Sequence, residues 1–171
     1  VKTLDFIMSD SKELPVAIDV GIDAQPGHLI RRLHQISVGL FVQEMAGLGE
    51  HGITPVQYAA LQTVANSPGV DQRTLARAIA LDASTTGGVV DRLEARGLLA
   101  RFASTGDRRV RLLHPTEDGL ALLQRLVPVM LKAQERILAP LAPQQRGQFL
   151  HLLNQLVKSN NEFSRAPSDS R

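Results

Sequence analysis

Apolar residues recur along most of this chain at three- and four-residue steps, and the places where the steps break mark its joints. From Pro26 onward, Leu29, Leu33, Ile36, Leu40 and Leu48 form one stripe, widened by Phe41 and Met45, which predicts a long first helix ending near Gly47 or Gly49. Thr54 followed by Pro55 is an N-cap with proline at the first helical position; Val56, Ala59, Ala60, Leu61 and Val64 then supply a buried face. Ser67, Pro68 and Gly69 end that helix. Asp71 caps a short third helix through Leu75, Ala76 and Ile79, and Asp82 or Ser84 caps a fourth with Val89, Val90 and Leu93 inward. After Gly97 the period changes. Two short apolar runs, 98–103 and 110–113, flank a turn of Thr105, Gly106, Asp107, Arg108 and Arg109, which is the pattern of a β-hairpin.

Pro115 and Thr116 open a second long helix bearing Leu120, Leu123, Leu126, Val127, Met130, Leu131, Ile137 and Leu138, with a kink expected at Pro128. Pro140 and Pro143 break the pattern, and a last helix carries Phe149, Leu152, Leu153, Leu156 and Val157 on one face before a polar tail. Residues 1–25 are acidic in balance and keep no period, so they are expected to form an N-terminal arm, with a short helix around residues 10–14 interrupted by Pro15. The expected fold is mainly α with a small β-hairpin: a winged helix-turn-helix between long N- and C-terminal helices. Its divisions are an arm (1–25), a first long helix (26–53), the winged region (54–114), the C-terminal helices (115–164) and the tail (165–171).

At 171 residues the chain is the size of one domain, and 43% hydrophobic with 21% charged residues is ordinary for a globular protein. No run approaches the roughly 18 apolar residues of a membrane span, and no secretory signal pattern is present, so a cytoplasmic location is expected. The chain opens on Val1 rather than Met, which points to a trimmed start. With no cysteine there is no disulfide framework, thiolate metal site or thiol switch. The net charge of +2 is unremarkable, but eight arginines and four acidic residues fall within 73–111, leaving that segment at +4 and the remainder at −2. The four lysines all lie elsewhere. Arginine is the better fork for phosphate and guanine, so this clustering favours a polyanion partner over a merely solvated surface.

A helix that begins Ser84, Thr85, Thr86, Gly87, Gly88 can bring hydroxyls and free backbone N–H groups close to phosphates or base edges. Plain capping is their ordinary role, and two glycines weaken an isolated helix by roughly 1 kcal/mol each. Gln72 and Arg73, at the start of the third helix, are further phosphate candidates. Arg92 is another, although it stands between Asp91 and Glu94 and has an intramolecular ion pair as its alternative. The three long helices offer more apolar stripe than a small winged core needs. A symmetric homodimer is the simplest partner, and a two-fold protein reads a two-fold operator with half-sites about 10 bp apart.

In this order the features resemble the MarR family of bacterial transcription regulators. Thr54, Pro55, Gln57, Tyr58 and Leu61 are similar to the family's second helix, and Pro68, Gly69, Gln72, Leu75 and Ala76 to its third. Asp82, Ser84, Thr85, Val90, Asp91, Arg92, Leu93, Glu94, Gly97, Leu98 and Arg101 match its recognition helix and first wing strand; Asp107, Arg108, Arg109, Leu112, Thr116, Gly119 and Leu122 match its wing and the turn beyond. The resemblance spans residues 29–157. It implies a homodimer joined through its first and last helices, a small-molecule pocket between the two regions, and release of DNA when the pocket fills. On the same pattern Arg109 is the wing-tip residue for a minor groove, Asp107 holds the hairpin or aims that guanidinium, and Arg108 touches phosphate.

The missing cysteine excludes a thiol sensor, and the resemblance then implies a bound ligand, the remaining common switch in that family. His34, Phe41 and Met45 on the first helix and Tyr58 on the second are candidate pocket residues, with Arg31 and Arg32 suited to a carboxylate or phosphate at the mouth. Similar regulators imply an aromatic acid or its coenzyme A thioester. Core packing is the commoner role for Phe41 and Met45, and a solvated surface for the arginine pair. An enzyme is not expected: five histidines are scattered, and Glu117 and Asp118 suit a helix dipole rather than catalysis. No cofactor is implied, and histidine–carboxylate metal sensing lacks tight spacing. The remaining alternative is a winged-helix module that binds another protein, against which the arginine cluster and scarcity of aromatics argue.

Overall fold

Proline sets the start of three of the helices, where its fixed φ and missing N–H fit the first turn. The computed structural model of the chain describes residues 21–47, 53–107 and 109–164; the expected helix around residues 10–14, Arg108 and the tail 165–171 lie outside these. After a 3-10 turn at Ile22–Ala24, α1 (Pro26–Ala46), α2 (Pro55–Asn66) and α6 (Pro143–Ser159) each open on proline. Between α2 and α6 come β1 (Val70–Asp71), α3 (Gln72–Ala78), α4 (Ala83–Ala95), β2 (Leu99–Ala103), β3 (Arg111–Pro115) and α5 (Glu117–Leu138), which runs on through Pro128. Thr54 caps α2 in a reciprocal box: its hydroxyl accepts the Gln57 N–H at 3.2 Å, while the Gln57 side-chain oxygen accepts the Thr54 N–H at 3.0 Å.

The wing is a three-stranded antiparallel sheet in the order β1-β3-β2, where a two-stranded hairpin was expected. Val70 pairs with Leu113 and Asp71 with Leu112, so the chain leaving α2 covers one edge of β3. On the other edge Leu99 to Ala103 pair in register with Pro115 to Arg111. Alternation sends Leu99 and Leu113 into the core and leaves Phe102 exposed on the opposite face, its ring edge-on to His114 with centroids 5.3 Å apart.

One core serves the winged lobe and part of the long helices. Leu61, Val64, Leu75, Val90, Leu93, Leu99, Leu113 and Leu126 are buried together, and Phe41 and Met45 of α1 and Leu122 and Leu123 of α5 join them. The expected stripe on α6 is only partly covered by its own chain: Phe149 and Leu153 are half-buried, while Leu152, Leu156 and Val157, and Leu150 beside them, are exposed. Much of the exposed apolar surface lies on α1, α6 and the later part of α5, including Leu29, Ile30, Ile36 and Leu131.

Two contacts fix α5. At its start, Thr116 accepts the Gly119 N–H at 3.0 Å and donates its hydroxyl to the Gly97 carbonyl at 2.6 Å, while its own N–H donates to the Leu98 carbonyl at 3.2 Å. Gly119 sits so near that a Cβ would fall 2.2 Å from the Leu98 carbonyl oxygen. Farther along, Glu44 of α1 accepts from Lys132 at 2.9 Å and Arg136 at 2.6 Å, and Arg136 also donates to Gln43 at 3.2 Å. Hydrogen bonds from Lys132 and then Arg136 hold the Glu44 carboxyl below its ordinary pKa.

Gly119→Ala is expected to lower stability by about 1–3 kcal/mol, the usual cost of overpacking, read as a reduced denaturation midpoint. A depressed carboxyl stabilises the fold fully above its unfolded value, about 4.3 for Glu, and loses that contribution as pH falls through the folded value. Glu44→Gln is therefore expected to be less stable than the parent chain at pH 7, with the gap closing below about pH 4; urea midpoints across that range test it.

Candidate nucleic-acid interface

Both helices of the helix-turn-helix begin on the same cap. Asp71 opens α3 by accepting the N–H groups of Arg73 and Thr74 at 2.9 and 3.0 Å and the Thr74 hydroxyl at 2.7 Å. Asp82 opens α4 by accepting the Thr85 N–H at 2.8 Å and its hydroxyl at 2.6 Å, so of the two expected cap residues Asp82 takes the position. The Thr85 hydroxyl, then its N–H, hold the Asp82 carboxyl below its ordinary pKa. Burial pushes Asp71 the other way, but its bonds to Thr74 and Arg73 outweigh that and leave it lowered too.

Ser84 and Thr85 stand exposed on the first turn of α4. Thr86, expected beside them, is fully buried: its hydroxyl donates to the Asp82 carbonyl at 2.8 Å, and its face is that of Val89, Val90 and Leu93. It belongs to the core and does not reach a DNA surface. Gln72 is half-buried against Gly87, where a Cβ would meet its side-chain nitrogen at 3.3 Å; Gly88 faces open space. Arg73 is exposed beside this junction.

In the wing turn, the Asp107 carboxylate accepts the Arg109 N–H at 2.9 Å and the Asp107 carbonyl accepts the Val110 N–H at 2.9 Å. Ser104 closes the turn from the other side, donating its N–H to the Val110 carbonyl at 3.0 Å and accepting the Gly106 N–H on its hydroxyl at 3.2 Å. Of the two roles considered for Asp107, these bonds serve the first: it holds the backbone. Arg109 is exposed at the tip.

Asp91 and Glu94 do not pair with Arg92. Both face Arg101 of β2, one guanidinium nitrogen meeting Asp91 at 2.6 Å and another meeting Glu94. Arg92 is exposed. Partial burial works against the charge on Arg101, but its bonds to Asp91 and Glu94 outweigh this and raise its pKa. Sequence reasoning placed Arg101 in the arginine cluster and in a family pattern; the signal for its role was the three-residue spacing of Asp91 and Glu94, which puts both on one helix face.

Of the expected effector residues, His34 lines a cleft whose walls do not include the other five. Phe41, Met45 and Tyr58 are 3%, 3% and 7% exposed and fill the core, where burial raises the Tyr58 pKa. All three belong to the buried core cluster. His34 instead lines a mostly apolar cleft of about 280 Å³ between α1, α5 and α6, with Leu33, Ser37, Gln134, Ile137 and Phe149 among its walls. Ser37 and Gln134 were not anticipated, although Ser37 shares the face of His34 at three residues' distance. Arg31 is exposed and bonds Gln35 at 3.1 Å; Arg32 lies 3.9 Å from Asp23. Among the described residues no acidic or histidine cluster could hold a metal, and no helix is long and apolar enough to cross a membrane.

A capped helix pair, an exposed helix start and a basic hairpin beside it define a winged helix-turn-helix DNA-binding protein. The MarR family model matches residues 53–110. The transcriptional repressor NicR of Pseudomonas putida is 30% identical over 81% of this chain and 86% of its own length. The PcaV transcriptional regulator of Streptomyces coelicolor, solved in complex with its natural ligand, is 35% identical over 84% of this chain and 98% of that one, with a TM-score of 0.76. BpsR of Bordetella bronchiseptica, whose DNA binding is regulated by 6-hydroxynicotinic acid, is 30% identical over 84% and 97%, with a TM-score of 0.74. The chain belongs to the MarR family of transcription regulators, which are not enzymes.

Arg109→Ala is expected to weaken binding to a cognate DNA fragment by about 1–3 kcal/mol at fixed salt while leaving thermal unfolding unchanged. An unchanged affinity in that titration removes Arg109 from the interface.

Proposed function

We propose that this chain is a homodimeric repressor that leaves a two-fold operator when a small aromatic acid, or its coenzyme A thioester, binds. The observation that carries the reading is the division of its surface. Polar and arginine side chains, Ser84, Thr85, Arg73, Arg92 and Arg109, are exposed on the winged lobe, whereas uncovered apolar side chains gather on α1, α5 and α6. The first set suits phosphates and base edges, with Arg108 assigned to phosphate. The second suits a second copy of the chain. Such a dimer sets its two recognition helices on successive major-groove faces about 10 bp apart.

Kinship with NicR, named a repressor, supports repression, and the ligands of PcaV and BpsR support effector control. The cleft at His34 is the effector site in this reading. It is at the small end of ligand pockets, apolar with a few polar groups, and takes the aromatic ring or the acyl end of a thioester. Arg31 and Arg32 receive the carboxylate or phosphate outside it. Phe41, Met45 and Tyr58 contribute only through the core beneath. One observation favours the protein-binding alternative: Phe102 is a large aromatic 55% exposed on the wing.

The test is selection of genomic fragments by the purified protein, repeated across salt and with a panel of aromatic acids and acyl-CoAs, alongside sedimentation to read its assembly. The expected result is a dimer that retains a few promoter fragments, loses them steeply with salt and releases them with one ligand class. Retention no better than random DNA transfers the assignment to protein binding, and a panel that neither releases DNA nor shifts the melting temperature removes effector control.

A further inference from the structure

The wing is a lever. Leu99 and Leu113 anchor its base in the core, but Phe102, Ala103 and Arg111 beyond them are exposed, and Arg109 is carried at the far end. At roughly 3.3 Å per strand residue, the tip stands about 20 Å from the Gly97 turn, so a swing of about 10° at the base moves it about 3.5 Å. Groove contacts tolerate far less than that.

Arg101 lies where the anchored part ends, paired in register with Leu113. Its fork reaches back to α4 and takes Asp91 and Glu94, one helical turn apart, at the same time. One pair would leave a hinge; two carboxylates on a planar guanidinium fix both the tilt and the rotation of the strand against the helix. The Arg101 side chain is 21% exposed and engaged on both sides, so it is not offered to phosphate.

We propose that Arg101 is a positioning residue for operator recognition, holding the wing at a set angle to the recognition helix so that Arg109 and the start of α4 engage the same DNA. The proposal rests on the reading of Arg109 as a groove contact. It opposes the ordinary expectation for an arginine here, which is direct contact with the backbone of DNA, and the two ideas predict opposite signs. Removing the charges of Asp91 and Glu94 while Arg101 stays frees an arginine and deletes two negative charges near the phosphates. Direct contact predicts tighter binding; positioning predicts weaker binding.

The experiment compares the full chain with its Asp91→Asn/Glu94→Gln variant, after unfolding curves establish that both fold. Arg101→Lys, which keeps the charge but cannot span both carboxylates, is the second variant. The expected loss of affinity for a selected operator is roughly tenfold, and it is absent when Arg109→Ala is already present, because both changes then remove the same contact. Affinity that stays the same or rises overturns the proposal. Because the chain has no cysteine, spin labels on Ala95→Cys and Thr105→Cys report the helix-to-wing distance without DNA. A distribution that broadens when the acids are neutralised supports the proposal, and one that stays narrow overturns it. This holds even if no operator is found and the reading of Arg109 fails.

Discussion

Backbone lies against backbone where Gly119 meets the Leu98 carbonyl, and the relation between the two halves of this protein depends on that contact. No side chain intervenes to slide or change rotamer. Thr116 adds bonds to Gly97 and Leu98 on the same side, so the first turn of α5 is fastened to the segment that leads from α4 into β2. The shared core acts in the same direction, because Phe41, Met45, Leu122 and Leu126 from the long helices lie among the residues of the winged lobe. The long helices and the lobe thus meet through a rigid joint, and a tilt of α5 must carry the base of the wing with it.

The acidic residues of the basic segment have a common use. Asp82 takes the N–H and hydroxyl of Thr85, Asp107 takes the N–H of Arg109, and Asp91 and Glu94 share Arg101. Each carboxylate is held by a group of the same segment. The local balance of +4 is therefore arranged as well as counted: negative charge is engaged in holding geometry, while Arg73, Arg92 and Arg109 remain exposed. Outside this segment Glu44 does similar work between α1 and α5.

The helices were legible because their apolar period is long and their starts are marked by proline or an acidic or hydroxyl cap. β1 was not, since two residues are too few to show alternation and their pairing with β3 spans more than forty positions. Thr86 was misread by its chemistry although its register was plain: it stands three, four and seven residues before Val89, Val90 and Leu93, which places it on their face. The pairing first considered for Arg92 had a similar warning, because helix neighbours one or two positions apart do not face each other. Their true partner comes from a strand seven and ten residues away, and only the fold brings it there. The effector side was least legible, because an aromatic or methionine stripe looks the same whether it lines a cleft or closes a core; Phe41 and Met45 are buried among core residues.

The cap on α4 also settles which way a hydrogen points. Asp82 is ionised at neutral pH and can only accept, so the 2.6 Å bond to Thr85 uses the hydrogen of the threonine hydroxyl. What Thr85 turns outward is a lone pair beside a methyl group. It cannot donate to a phosphate oxygen or to the N7 and O6 of guanine while that bond stands; the group that meets it must bring its own hydrogen, as the exocyclic amines of adenine and cytosine do in the major groove.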